Sequence, residues 1–128
     1  MIKSHSPPGV ASPAALYVHG IEVPPNARWL FISGQIGMRP DGQPGADARE
    51  QVEIIWHNIV TILGSAGMGV ADIVKLTTYS TAAEYLPVLR EVRERVLDGH
   101  LPASTLLIVA GLAKPEWLAE VEVYAARA

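Results

Sequence analysis

The stretch WLAEVEVYAA, residues 117–126, carries two carboxylates two positions apart. In an extended chain successive side chains alternate between faces. Leu118, Glu120, Glu122 and Tyr124 therefore share one face, and Trp117, Ala119, Val121 and Val123 share the other. A carboxylate on a covered face must find a partner, or its pKa rises and it becomes a carrier of protons. The same pair also suits a solvated strand or cross-strand pairing with arginine, and the sequence leaves these readings open. FISGQIG, residues 31–37, puts Ser33, Gly34 and Gln35 where a strand breaks. A glycine there lets a ligand approach the backbone, whose N–H groups can hold an oxyanion, although a plain bulge has the same composition. In GHLPASTLLIVAGL, residues 99–112, the hydroxyls of Ser104 and Thr105 stand at the mouth of an apolar run. Tyr17 and His19 lie two apart and so share a strand face. Either can donate a hydrogen bond into a cleft, and a histidine exchanges protons near neutrality; a rim histidine without a role fits equally.

Other chemistries lack their spacing. GSAGMG (64–69) has the wrong order for a dinucleotide-binding glycine pattern and suits helix termination instead. His5, His19, His57 and His100 show no ligand spacing, so no metal is expected. There is no G-x-S-x-G elbow, and the aromatic residues are too scattered for a nucleic-acid stacking platform.

The candidate groups need a frame. Val52, Ile55, Trp56, Ile59, Leu63 and Ala66 recur at helical spacing and predict a helix over 48–66. Asp47 and Glu50 form a capping-box pattern at its start, and Gly67 and Gly69 suit its end. A second helix is predicted over 85–97, with Pro87 in its first turn. Its apolar side is Val88, Leu89, Val92 and Val96; its charged side is Arg90, Glu91, Arg93, Glu94 and Arg95. Strands are expected at 16–23 and 28–33, joined as a hairpin through PPNA, and at 71–81, 104–110 and 117–126. Residues 1–15 read as irregular, and 34–47 as loop with room for a short strand.

This order predicts a single α+β domain over residues 1–128, a mixed β-sheet with two helices packed on one face. The run Leu106–Ala110 is apolar on both faces, as in a strand buried on both sides. Two helices cover only one face, so the other calls for the sheet of a neighbouring subunit. Composition agrees: 49% of residues are hydrophobic and only 18% charged, which in a small domain points to apolar surface covered by another copy. The net charge of −3 and the lack of a Lys/Arg cluster count against nucleic-acid or membrane partners. The absence of cysteine excludes disulfides, thiolate catalysis and Cys-type zinc sites. Without the apolar core of a secretory signal or a membrane-length apolar run, a cytoplasmic protein is expected.

Taken together, YVHG (17–20), LFISGQIG (30–37), SAGMG (65–69), ADIVKLTTY (71–79), LPAS (101–104) and AEVEVYAA (119–126) resemble the Rid (YjgF/YER057c/UK114) family in order and near-spacing. The likeness runs from Tyr17 to Ala126. It implies a chorismate-mutase-like fold assembled as a homotrimer, with sheets inward, helices outside and a cleft between each pair of subunits. It also implies hydrolysis of reactive enamine/imine intermediates such as 2-aminoacrylate to 2-keto acids and ammonia, with no metal or organic cofactor. The same resemblance makes Glu120 the residue that positions or activates water, Ser33 and Gly34 a backbone binding site, and Tyr17 a pocket residue.

One departure stands out. Active imine deaminases of the family carry an arginine directly after Pro-Ala, which clamps the substrate carboxylate; here Pro102-Ala103 is followed by Ser104. A serine offers one donor and no charge, and losing a charge-assisted pair costs about 1.5–3 kcal/mol. The expectation is a pocket for a neutral or weakly polar metabolite, with little activity on 2-aminoacrylate. Glu120 would orient water there, and Ser104 and Thr105 would donate hydrogen bonds. Arg39 and Lys114, both in loops, are the candidate substitute cations, and Leu89 stands where the family often has asparagine. The alternative is a non-catalytic binding or regulatory protein. A ribonuclease or translation inhibitor fits the acidic charge poorly.

Overall fold

The alternation at the C-terminus becomes one of the two inner strands of a four-stranded sheet. A computed structural model describes residues 1–128. The elements are β1 (Lys3–His5), β2 (Gly20–Glu22), β3 (Arg28–Ile36), α1 (Ala48–Ser65), β4 (Ile73–Ser80), α2 (Leu86–Leu97), β5 (Ala103–Ile108) and β6 (Ala119–Arg127). The main sheet runs β3-β6-β4-β5. Its β3/β6 and β4/β6 pairs are antiparallel and its β4/β5 pair is parallel, so the sheet is mixed as expected.

Ala119, Val121, Val123 and Ala125 of β6 point toward the helices and are fully buried. Val52, Ile55, Trp56, Ile59 and Leu63 of α1 meet them, joined by Leu89 and Val92 of α2. Each such apolar side chain contributes about 1.5–3 kcal/mol when withdrawn from water. Asp47 caps α1 by accepting from the Glu50 N–H at 2.9 Å, and Glu50 returns a carboxylate to the Ala46 N–H at 3.2 Å. Gln51, buried at the start of α1, donates to the Gly45 and Glu116 carbonyls and accepts from the Leu118 N–H. That ties α1 to the entry of β6.

Two expectations need correction. The strand expected at 16–23 shrinks to β2, which pairs with β1 rather than forming a hairpin with β3. Residues 1–15, expected to be irregular, thus contain a strand. Pro24 and Pro25 follow β2 and supply no N–H, so the ladder cannot zip from the turn into β3. The apolar run expected to be buried on both faces ends at Ile108 and lies at the sheet edge. Ile108, on the helix side but at the end of this edge strand, is 55% exposed, and Leu107 is 44% exposed because nothing in the same chain covers the face away from the helices. Trp29, Phe31 and Tyr124 are exposed there too; Trp29 stacks on Phe31 at 5.8 Å, and Phe31 meets Tyr124 edge-on at 5.2 Å. No helix is long and apolar enough to cross a membrane.

Candidate functional site

The sheet splits the candidate residues between its two faces. Ser104 is in register with the buried Leu76, so it and Leu106 point to the helix side. There, with Ala14, Ala15, Tyr17, Arg90 and Arg93, they line a cavity of about 240 Å³. The segment before β2 brings Tyr17 to this place. Val18 bridges to Ala103, and its N–H donates to the Pro102 carbonyl at 3.1 Å. Tyr17 is held further by the Ala14 N–H, which donates to its hydroxyl at 3.4 Å. His19 lies edge-on to the Tyr17 ring but is engaged with the Ala11 carbonyl and does not line the cavity.

Thr105, one residue beyond Ser104, points to the open face and accepts a hydrogen bond from Lys75 Nζ at 2.6 Å. The two hydroxyls read as a pair in the sequence are therefore on opposite sides of the sheet. The glutamates share Thr105's side: Glu122 is in register with Thr77, and Glu120 with Tyr79.

A β-bulge shapes the surroundings of Glu120. Ile32 pairs with Val123 and Gln35 with Val121, so Ser33 and Gly34 together oppose Glu122 alone. Ser33 is exposed, and its carbonyl accepts from the Gln35 side chain at 3.0 Å. Gly34 has a specific reason to be glycine: a Cβ there would overlap the Glu120 carboxyl. The carboxylates differ in their partners. Glu122 accepts from the Tyr79 hydroxyl at 2.9 Å, which raises the tyrosine pKa. Glu120 has no hydrogen-bond partner within the chain, and burial, with a smaller effect from the Glu122 charge, raises its pKa above the usual 4.5. A carboxyl in that position can exchange a proton with a water at the open face.

Neither expected substitute cation reaches the cavity. Arg39 pairs with Glu50 and donates to the Pro44 carbonyl at 3.2 Å, while Lys114 lies 5.5 Å over the Trp117 ring. Nor does α2 offer Leu89 to the cavity, since that side chain is in the core. The residues offered are Arg90 and Arg93. Arg93 is only 5% exposed although the sequence places it with the charged side, and burial lowers its pKa. Its signal was available: Leu89, Arg93 and Leu97 are four apart, so Arg93 interrupts a buried stripe. No three His, Asp or Glu side chains converge to hold a metal.

Comparison with known proteins agrees with this architecture. The family described as Endoribonuclease L-PSP matches residues 9–127. The 2-iminobutanoate/2-iminopropanoate deaminase of Escherichia coli is 30% identical over 122 residues, covering 91% of this chain and 92% of that protein. YyfB of Yersinia pestis, described as a conserved Rid family protein, superposes with a TM-score of 0.87 at 26% identity, covering 98% of both chains. Escherichia coli TdcF, solved with bound serine, gives a TM-score of 0.74 at 31% identity, covering 100% of this chain and 98% of its own. With its mixed sheet, two helices on one face and a family match over nearly its whole length, the chain belongs to the Rid family, the family described as Endoribonuclease L-PSP.

Proposed function

We propose that copies of this chain associate as a homotrimer through their open sheet faces and that the cavity beside Ser104 becomes a small-metabolite pocket at each subunit boundary. The observation that carries this reading is the division of the candidate groups. Tyr17 and Ser104 serve the helix-side cavity, whereas Glu120 and Gly34 serve the opposite face. One chain cannot direct both sets at one ligand. A neighbour laid against the β5 edge brings its own Glu120 to the mouth of the cavity. The bare aromatic cluster of Trp29, Phe31 and Tyr124 gives the association an apolar driving force.

The reaction is hydrolysis of a C=N bond. Glu120 takes a proton from water as the water oxygen attacks the imine carbon and passes it to the nitrogen, giving a carbinolamine. It then takes the carbinolamine O–H proton and delivers it to the nitrogen as the C–N bond breaks and the C=O bond forms, so that ammonia leaves with both water protons. The raised pKa of Glu120 suits it to both transfers. Ser104 and Tyr17 orient the substrate by hydrogen bonds from the cavity wall, while Ser33 and the Gly34 backbone line the approach to Glu120. Thr105 acts from the open-face side, where Lys75 holds its hydroxyl. The deaminase named among the relatives and the serine bound to TdcF support a small amino-acid-derived substrate. With Ser104 in place of a strand-borne guanidinium, 2-aminoacrylate is a poor substrate.

Ammonia release from freshly generated imines, with and without carboxylates, tests the assignment. Turnover of at least one imine that Glu120→Gln abolishes is expected; none across the panel overturns hydrolysis and leaves a binding protein. Ribonuclease activity is not proposed, because a chain of net charge −3 lacks the cationic surplus that neutralises phosphates.

A further inference from the structure

Arg93 is the anomaly of the fold. Its side chain is 6% exposed, it lines the cavity beside Ser104, and its Nε and Nη2 are buried without a hydrogen-bond partner. The nearest carboxylate oxygen, on Glu94, is 3.7 Å away, too far for a hydrogen bond. Arg90 lines the same cavity and makes no ion pair, and no acidic residue is present in the lining. A buried guanidinium whose one nearby carboxylate is part-exposed and beyond hydrogen-bond reach is costly, and an anion in the cavity would offset that cost.

We propose that Arg93 and Arg90 form an acid-binding subsite on the helix wall of the cavity, which takes a ligand whose carboxylate is separated from its reacting C=N carbon by a spacer. The guanidinium forks match a carboxylate with paired N–H donors, and the Ser104 hydroxyl supplies a further one. The spacer follows from depth. Arg93 is almost fully buried while Ser104 is only partly buried, so an acid group on Arg93 lies deeper than one clamped at position 104. A 2-imino acid carries its carboxylate directly on the C=N carbon and would draw that carbon inward, away from the mouth where the neighbour's Glu120 arrives. A longer acid leaves the carbon at the mouth. The inference rests on the metabolite-pocket reading of the same cavity.

Titration calorimetry with three carbonyl probes tests it: 4-oxopentanoate, which has the spacer; pyruvate, which lacks it; and pentan-2-one, which lacks the acid. The expected result is saturable binding of 4-oxopentanoate, at least about tenfold tighter than either of the others, the scale of one charge-assisted pair. Arg93→Met should lose that preference, Arg93→Lys should restore part of it, and Arg93→Met should raise the melting temperature of the unliganded protein by removing a buried charge whose Nε and Nη2 lack hydrogen-bond partners. Equal binding of the three probes, a preference that survives Arg93→Met, or a lower melting temperature in that variant overturns the proposal. Inorganic phosphate is the control anion: displacement of 4-oxopentanoate at matching concentration overturns the carboxylate assignment. The two readings fail separately. Carboxylate binding that depends on Arg93, with no ammonia released from any imine, keeps the subsite and removes hydrolysis. Ammonia release from uncharged imines that is indifferent to Arg93→Met keeps hydrolysis and removes the subsite.

Discussion

Glu120 and Glu122 share a strand face, and their neighbours give them different chemistry. Tyr79 holds Glu122, whereas Glu120 faces the bulge without a partner and has a raised pKa. A raised folded-state pKa means the folded chain holds this proton more tightly than the unfolded chain. The resulting stability is present below the ordinary value near 4.5 and is lost as pH rises through the folded value. Glu120→Gln should therefore be more stable than the wild type at pH 7, with the gain vanishing in acid, as read by denaturant melts at both pH values. On an accepted imine the same variant should lose about 10²–10⁴-fold in ammonia release, the usual worth of a general acid–base group. The acid limb of the wild-type rate profile should lie above the ordinary carboxylate value. Ser104→Arg should raise 2-aminoacrylate turnover by about tenfold or more, in assays alongside wild type. These residues were legible as types at particular strand positions. Arg93 was not: five charged residues between 90 and 95 read as a solvated face, although Leu89 and Leu97 bracket it at helical spacing.

Among the elements, those with a long periodic run are legible in the sequence. The stripe from Val52 to Leu63 predicted α1 within a residue of its observed end, and the alternation in β6 correctly separated the core set from the glutamates. Of the two N-terminal strands, β2 lies within the strand expected at 16–23, but β1 and its pairing with β2 were not legible, because three residues carry no periodicity and the pairing spans a long separation. Ser33 and Gly34 were expected where a strand breaks, with a bulge as the other reading; β3 instead continues to Ile36 through a bulge, and the missing Cβ makes room for Glu120. Gly34→Ala tests that pairing. The obstructing atoms are the far end of a flexible side chain, so the stability change should stay below about 1 kcal/mol. The carboxyl should nevertheless move, and ammonia release should fall as in Glu120→Gln. A large stability loss with full turnover per folded protein would contradict this role for the bulge.

At the scale of the whole molecule, the sequence carries a surplus of apolar residues for a domain of its size. The fold places part of that surplus on one surface, where Trp29, Phe31, Leu107 and Tyr124 are uncovered. It also leaves Glu120 and Ser104 on opposite sides of one sheet, which sequence reading could not anticipate because strand order is a long-range property. Phe31→Glu places a charge in the centre of the aromatic cluster. It should dissociate the assembly and abolish turnover while leaving the helical signal of the single chain intact in circular dichroism. If a second copy completes the pocket, sedimentation equilibrium at micromolar protein should find a species of three times the 13.7 kDa chain mass. A stable species of a single chain at that concentration would contradict it.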